Sequence, residues 1–554
     1  MRPPNHVRSA PTAWPAQVDP VAFTRATSQL AAHVAGRVEA DGAIREDCRS
    51  RVLESALALT LMTRTQQASP ARDRVLAYLR GHLDTPHEFD RVLATLAVGR
   101  AAAGGQGAGD SDLIDKLTDA LLGAAPEFIS ARRRRMLYAV LSVLGCTLPA
   151  GVVPAADEAA PTDPIHSWAA VQQAAVTLIL SSAAGVSNKA TTAALDTLTA
   201  TAPATAVWEG YVLLHLLALH ALAGVPGQEA TVRGGVEQLL RHQREDGGFP
   251  FVLEMQNWCT STAAIALAAA GGPPAQLRSI ADLFAAHQDD APQRGLALAL
   301  ARGAVLDGGW SIGPNVAQTD VDCTSCILEF LQDTDPAAYA ASIRRGVDSL
   351  LAVQNSDGGF PTYVAGATSE PCMTAAAVNA LAPHPATAPA RRRALGLLAD
   401  SQLADGGFEP GWSRSRLHTM FRARLAAGTA EPTDTRTAAM AQRIQTSVHQ
   451  TQNPDGGWGM QPGDPSDDIS TAYALITLSC GEGTEPIGRG LAWLLERQHT
   501  DGSYDGPPDM VGPRPFAYHL PILTDIPVLL AFGHLRTKLL PQAPQLQASG
   551  HAAV

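Results

Sequence analysis

Residues 320–326 of this 554-residue chain read Asp-Val-Asp-Cys-Thr-Ser-Cys. Two carboxyls, Asp320 and Asp322, stand two positions apart, and Cys323 and Thr324 follow at once. Paired carboxylates suit general acid work. Burial raises the pKa of a carboxylic acid and keeps it loaded with its proton. A neighbouring carboxylate or hydrogen bond then decides which proton leaves and in which direction. Two other readings stay open. Asp and Thr are favoured at helix N-termini, so the segment could be a solvated cap. Asp322, Cys323 and Cys326 are also zinc-ligand types, with His418 and His519 as distant partners.

The elements that must position this segment are repeated. DGGF or DGGW occurs at 246–249, 307–310, 357–360, 405–408 and 455–458, with a weaker DGSY at 501–504, so successive starts lie 61, 50, 48, 50 and 46 residues apart. A Gln precedes most copies: Gln243, Gln354, Gln402, Gln452 and Gln498. A Thr-containing helical stretch follows, as in CTSTAAIALAAA from 259 and STAYALITL from 470. Each unit reads as helix, glycine turn, helix, and repeats of this length predict an array of helix pairs. In the turn, Asp is expected to cap the next helix, Gly to supply positive φ, and the aromatic to pack on the preceding helix. The first half is also helix after helix, with breaks at Gly104-Gly105, over 149–164 and at Pro226-Gly227.

The bulk numbers agree. The chain is 46% hydrophobic and 17% charged, a folded, helix-rich composition. A net charge of −12 argues against a nucleic-acid partner. Seven scattered Cys suit reduced thiols, and the absence of a signal-like N-terminus or a long apolar run predicts a cytoplasmic protein with no integral membrane span.

The Gln–DGG-aromatic repeat resembles the QW repeat of squalene–hopene cyclases and bacterial class II diterpene cyclases. Asp320, Asp322, Thr324 and Ser325 match the Asp-x-Asp-Asp-Thr-Ala/Ser motif of those enzymes, while Cys323 departs from it. The resemblance implies an all-α fold of two (α/α) double barrels. A γ-type barrel is expected over 25–290 and a β-type barrel over 291–540, with a loose lead-in over 1–24 and a tail over 541–554. A short N-terminal piece is expected to return to the second barrel. The resemblance also implies that Asp322 protonates an isoprenoid alkene, with Asp320 and Cys323 orienting it and Thr324 near the network. Trp310, Phe360, Tyr363, Trp412, Trp458, Phe516 and Tyr518 are the aromatic candidates for a cation-stabilising cavity, and His519 a terminal base or water holder.

Chain length favours a prenyl diphosphate over squalene. Geranylgeranyl diphosphate giving a labdane-type diphosphate is placed first, farnesyl diphosphate giving a drimane-type product second, and a squalene-type triterpene third. Arg414, Arg416 and Arg514 are candidate diphosphate ligands. Arg132 to Arg135 read as a solvated charge run. Mg²⁺ is expected with a diphosphate, with Glu46 and Asp47 as candidate ligands, and no organic cofactor. Neither Asp289-Asp290 nor Asp467-Asp468 completes a class I ionisation motif, so the diphosphate should survive for a separate class I synthase or phosphatase. A homodimer is a further partner expectation. A zinc-dependent prenyltransferase-like barrel and a non-catalytic isoprenoid-binding barrel are the competing readings.

Overall fold

The computed structural model describes residues 14–66, 69–102, 118–119, 122–123, 126–148, 152, 164–288, 300–301 and 303–540. It is helical throughout, with one two-residue ladder. Helix α1 (Pro20–Ala35), capped by the Asp19 side chain, is the first described helix and starts within the expected lead-in over 1–24. The expected tail over 541–554 lies outside the described residues.

The first domain comprises α2 (Val52–Arg64), α3 (Pro70–Arg80), α4 (Glu88–Ala102), α5 (Ser130–Val143), α6 (Ser167–Ala183), α7 (Lys189–Thr201), α8 (Val212–Leu222) and α9 (Glu229–Leu240). Its core helices read as almost continuously apolar because they are enclosed on all sides; every residue of α8 except Ala221 is buried. The domain is an insertion, clasped at its neck by strands β1 (Ser50–Arg51) and β2 (Phe249–Pro250), which pair antiparallel.

The second domain is a closed double ring. Helices α10 (Gln256–Ala270), α12 (Val321–Thr334), α14 (Pro371–Leu381), α16 (Leu417–Ala427), α18 (Asp468–Ser479) and α20 (Ile522–Leu539) form the inner ring, each packed on the next and α20 closing on α10. Helices α11 (Pro274–Ala286), α13 (Ala340–Ala352), α15 (Ala388–Ser401), α17 (Thr435–Gln450) and α19 (Glu485–Arg497) lie outside. The sixth outer place is filled by α1, which packs on α20, α10 and α19. The boundary therefore falls near residue 250 rather than 290. Helices α10 and α11 carry a Gly turn and a Thr helix like the other units, and the ring does not close without them.

The turns explain the repeat. The first Gly of each DGG or DGS turn has positive φ, from +85° at Gly406 to +98° at Gly456, a conformation that Gly adopts without steric cost. The Gln side chain clasps the turn: Gln452 donates to Gly456 O (2.8 Å) and Pro486 O (2.9 Å), and Gln354 to Gly358 O (2.8 Å) and Ala390 O (2.9 Å). The Asp does not cap the next helix, as its sequence position suggests. It accepts from the backbone N–H two residues on, as Asp455 does from Gly457 (3.0 Å), because that donor lies within its own loop. The aromatic packs backward as expected; the Trp310 indole donates to Phe284 O (2.9 Å) and the Trp458 indole to Val448 O (2.8 Å).

Candidate active site

The first turn of α12 carries the carboxylates. Asp320 is its N-cap, in extended conformation, and its Oδ1 accepts from the Cys323 N–H at 2.7 Å. The cap reading is thus correct for Asp320, yet the site is not solvated. Asp320 and Asp322 are both buried. Burial pushes the Asp320 carboxyl up to about 7; the bond from Cys323 lowers it and the charge of Asp322 raises it. Burial also raises Asp322 above the ordinary carboxylate range, against the opposing pull of Arg422. Thr324 faces the other way. Its hydroxyl accepts from the Trp310 N–H (3.0 Å), so it ties the turn to the helix.

Arg422 is the partner that sequence reasoning missed. From the first turns of α16 its guanidinium, itself buried, donates to Asp322 Oδ1. It also reaches the sulfurs of Cys372 (3.7 Å) and Cys326 (3.9 Å). Oδ1 being taken, Oδ2 is the oxygen left to carry a proton.

Asp320, Asp322 and Cys323 border a largely apolar chamber. Its walls are aromatic and aliphatic: Trp168 and Tyr211 from the first domain, and Phe251, Trp258, Tyr363, Trp412 and Tyr518 from the second or its neck. Of the aromatics named from sequence, Trp412, Tyr363 and Tyr518 line the chamber. Trp310, Phe360 and Trp458 do not; they are spent as turn staples inside the helical core. Phe516 packs on Phe89 (centroids 5.2 Å apart), and His519 offers its carbonyl to Arg49 N–H (2.9 Å) away from the chamber. A signal for Trp258 was present, since Trp-Cys-Thr-Ser at 258–261 parallels Asp-Cys-Thr-Ser at 322–325 one unit later. Only the ring geometry shows that both positions face one space.

A cationic cluster lies behind two residues of the chamber wall, Trp412 and Thr362. The Arg514 guanidinium pairs with Glu370 and lies 4.2 Å from the Trp412 ring centroid. Glu370 also accepts from Thr362, which in turn accepts from the Trp412 indole at 3.1 Å. Arg132 and Arg133, on α5, feel the charge of Arg514. Arg133 is 2% exposed and meets Gln172 Oε1 at 3.3 Å, with no carboxylate partner among the described residues. The run expected to be a solvated face therefore turns two of its arginines inward. Burial lowers the pKa of Arg133, yet a guanidinium keeps its charge in proteins, so this is a cationic cluster with Glu370 as its one carboxylate among the described residues. Arg414 and Arg416 lie elsewhere: Arg414 reaches Pro508 O (3.1 Å) and Arg416 pairs with Asp405 (2.9 Å).

Glu46 and Asp47 are held by different cations, Arg37 and Arg244. Among the described residues no group of three His, Cys, Asp or Glu side chains is placed to hold a metal. No helix of the described residues is long and apolar enough to cross a membrane.

A buried acid on an aromatic-walled chamber beside a helical double ring is the arrangement that acid-initiated isoprenoid cyclisation requires. Residues 255–520 match the family model of the squalene-hopene cyclase C-terminal domain. The chain is 38% identical to a drimenyl diphosphate synthase from Streptomyces showdoensis, over 95% of this chain and 97% of that protein. It is 37% identical to a drimenyl diphosphate synthase from Streptantibioticus cattleyicolor, over 93% and 95%. Its fold resembles the ent-copalyl diphosphate synthase from Streptomyces platensis, with a TM-score of 0.57 at 19% identity, covering 93% of this chain and 99% of that one. The chain belongs to the class II terpene cyclase family.

Proposed function

We propose that the substrate is farnesyl diphosphate and the product a bicyclic drimane-type diphosphate. The observation that carries the reading is a buried acid on an aromatic-walled chamber whose Trp412 wall is backed by the Arg514 guanidinium, 4.2 Å from the ring centroid. The acid suits an alkene; the arginines suit a diphosphate, which neutralises their charge and accepts their fork of donors. The ranking from sequence placed the C20 chain first. The names of the two full-length relatives support the C15 chain instead.

Asp322 gives its Oδ2 proton to the terminal carbon–carbon double bond. The tertiary cation is attacked by the next alkene, and that cation by the third, closing two rings. Loss of a proton from a carbon beside the last cation ends the sequence, so substrate and product are isomers. Trp168, Tyr211, Trp258 and Trp412 offer ring faces to the passing charge. Arg422 stabilises the Asp322 carboxylate left behind, which makes a buried acid strong enough to act on a weakly basic alkene. Arg132, Arg133 and Arg514 hold the diphosphate without cleaving it, and an enzyme that ionises or hydrolyses allylic diphosphates would consume the product.

A resident Mg²⁺ does not fit Glu46 and Asp47, whose carboxylates already pair with separate arginines. A Mg²⁺ ion carried in on the diphosphate belongs to the substrate. The deciding experiment incubates the protein and Mg²⁺ with farnesyl diphosphate, geranylgeranyl diphosphate or squalene, followed by phosphatase treatment and mass analysis. Bicyclic C15 alcohol from farnesyl diphosphate is expected; turnover of squalene alone would overturn the reading.

A further inference from the structure

A second, largely apolar space lies in the lumen of the inner ring. Its walls include Ile265, Phe421, Leu523 and Leu530, and none of its lining residues comes from the first domain. Trp258 and Met510 line both this space and the acid chamber. Asp322 borders the acid chamber, and its partner Arg422 borders the lumen, 5.7 Å from the Trp258 ring centroid. The acid therefore stands at the partition. The polar groups of the lumen are turned toward one another. Asp509 accepts from Ser413 Oγ (2.7 Å), Ser415 N–H (3.0 Å) and Tyr473 O–H (3.3 Å), and His418 Nδ1 meets Cys372 Sγ at 3.4 Å. What remains for a ligand is an apolar surface with aromatic faces.

We infer that Trp258, with Met510, is the partition that sets substrate chain length, and that the lumen behind it takes the distal isoprenyl unit of a longer prenyl diphosphate once the partition is opened. This rests on the proposed prenyl diphosphate substrate. A chain anchored by its diphosphate at the arginines, where the domains meet, runs through the acid chamber toward Trp258. With the indole in place, a chain is accepted when its last alkene lies at Asp322. With the indole removed, a chain one unit longer overruns the acid, and its penultimate alkene lies there instead.

The chemistry that follows is balanced. Asp322 protonates the =CH carbon of the penultimate alkene, leaving a tertiary cation at the methyl-bearing carbon. Two ring closures consume the next two alkenes, and one proton is lost. The product from geranylgeranyl diphosphate is a bicyclic C20 diphosphate that keeps an acyclic Me₂C=CH– tail. A labdane-type product, cyclised from the terminal alkene, has no such tail.

The test compares the wild-type protein with Trp258→Ala and Met510→Ala, each with farnesyl and geranylgeranyl diphosphate, by kcat/KM and by NMR of the dephosphorylated products. Met510→Ala is the milder change should Trp258→Ala fold poorly. The expected result is a rise of at least about tenfold in the geranylgeranyl-to-farnesyl ratio, with the dimethylvinyl tail in the C20 product. An unchanged ratio in both variants, or a C20 product without the tail, overturns the partition. The substrate reading is judged separately, on wild-type protein: efficient labdane formation there would sink that reading before any variant is made.

Discussion

Asp322 and Arg422 stand 100 residues apart in the chain and meet as a buried pair, with the guanidinium on Asp322 Oδ1. Burial and Arg422 act on the acid in opposite directions, and burial prevails. Glu370, facing from the α14 side, adds to the upward shift, and the thiols of Cys326 and Cys372 complete the surroundings of the guanidinium. Removing the cation by Arg422→Gln should therefore raise the Asp322 pKa further. The alkaline limb of the pH–rate profile should move to higher pH while kcat falls by about tenfold or more, because a weaker acid is loaded over a wider range. A purely structural role for Arg422 predicts lost activity with no movement of that limb, and Arg422→Lys should recover part of the shift.

Asp322→Asn should reduce turnover by at least about 10³-fold while leaving substrate binding near its original strength. Product analysis by mass spectrometry, with binding followed by calorimetry, separates the two effects. Retained cyclisation in this variant would remove Asp322 from the donor role.

The Asp320 carboxyl bears on stability. Its folded pKa, about 7, is raised above the ordinary carboxyl value of 3.8, so its contribution is intact below pH ~4 and is lost as pH rises through about 7. The full linkage is at most about 4 kcal/mol. Urea denaturation across pH 4–8 should show a decline toward the upper end, and Asp320→Asn should flatten it.

Arg133 makes a prediction of opposite signs. Replacing this buried cation by Met removes a desolvated charge with no carboxylate partner among the described residues, and should leave the unliganded protein as stable or more so. If the proposed function holds, the same change removes a diphosphate donor and should raise KM about 10- to 100-fold, the equivalent of one charge-assisted hydrogen bond. Melting curves and steady-state kinetics on one variant test both halves.

Trp458 is buried in the repeat, and its indole is tied to Val448 O. Trp458→Ala should cost about 3–5 kcal/mol of stability. The wall of the acid chamber does not include it, so the distribution of products from the folded fraction should not change.

The sequence alone carried the ring architecture, because that depends on local rules repeated along the chain: Gly at each positive-φ turn, Gln clasping it, aromatic stapling it, Thr opening the next helix. It also located Asp320 and Asp322, whose motif is contiguous. It could not separate stapling aromatics from cavity aromatics, since Trp458 and Trp412 differ in what they face rather than in type. The tertiary fold decided that. Ring closure moved the domain boundary to about residue 250 and made α1 the last outer helix. It also turned the first residues of separate inner helices, Trp258, Asp322 and Cys372, toward a common centre. Arg422 and the inward arginines of α5 became legible only there, because a buried charge is defined by partners distant in sequence and by the water that packing excludes.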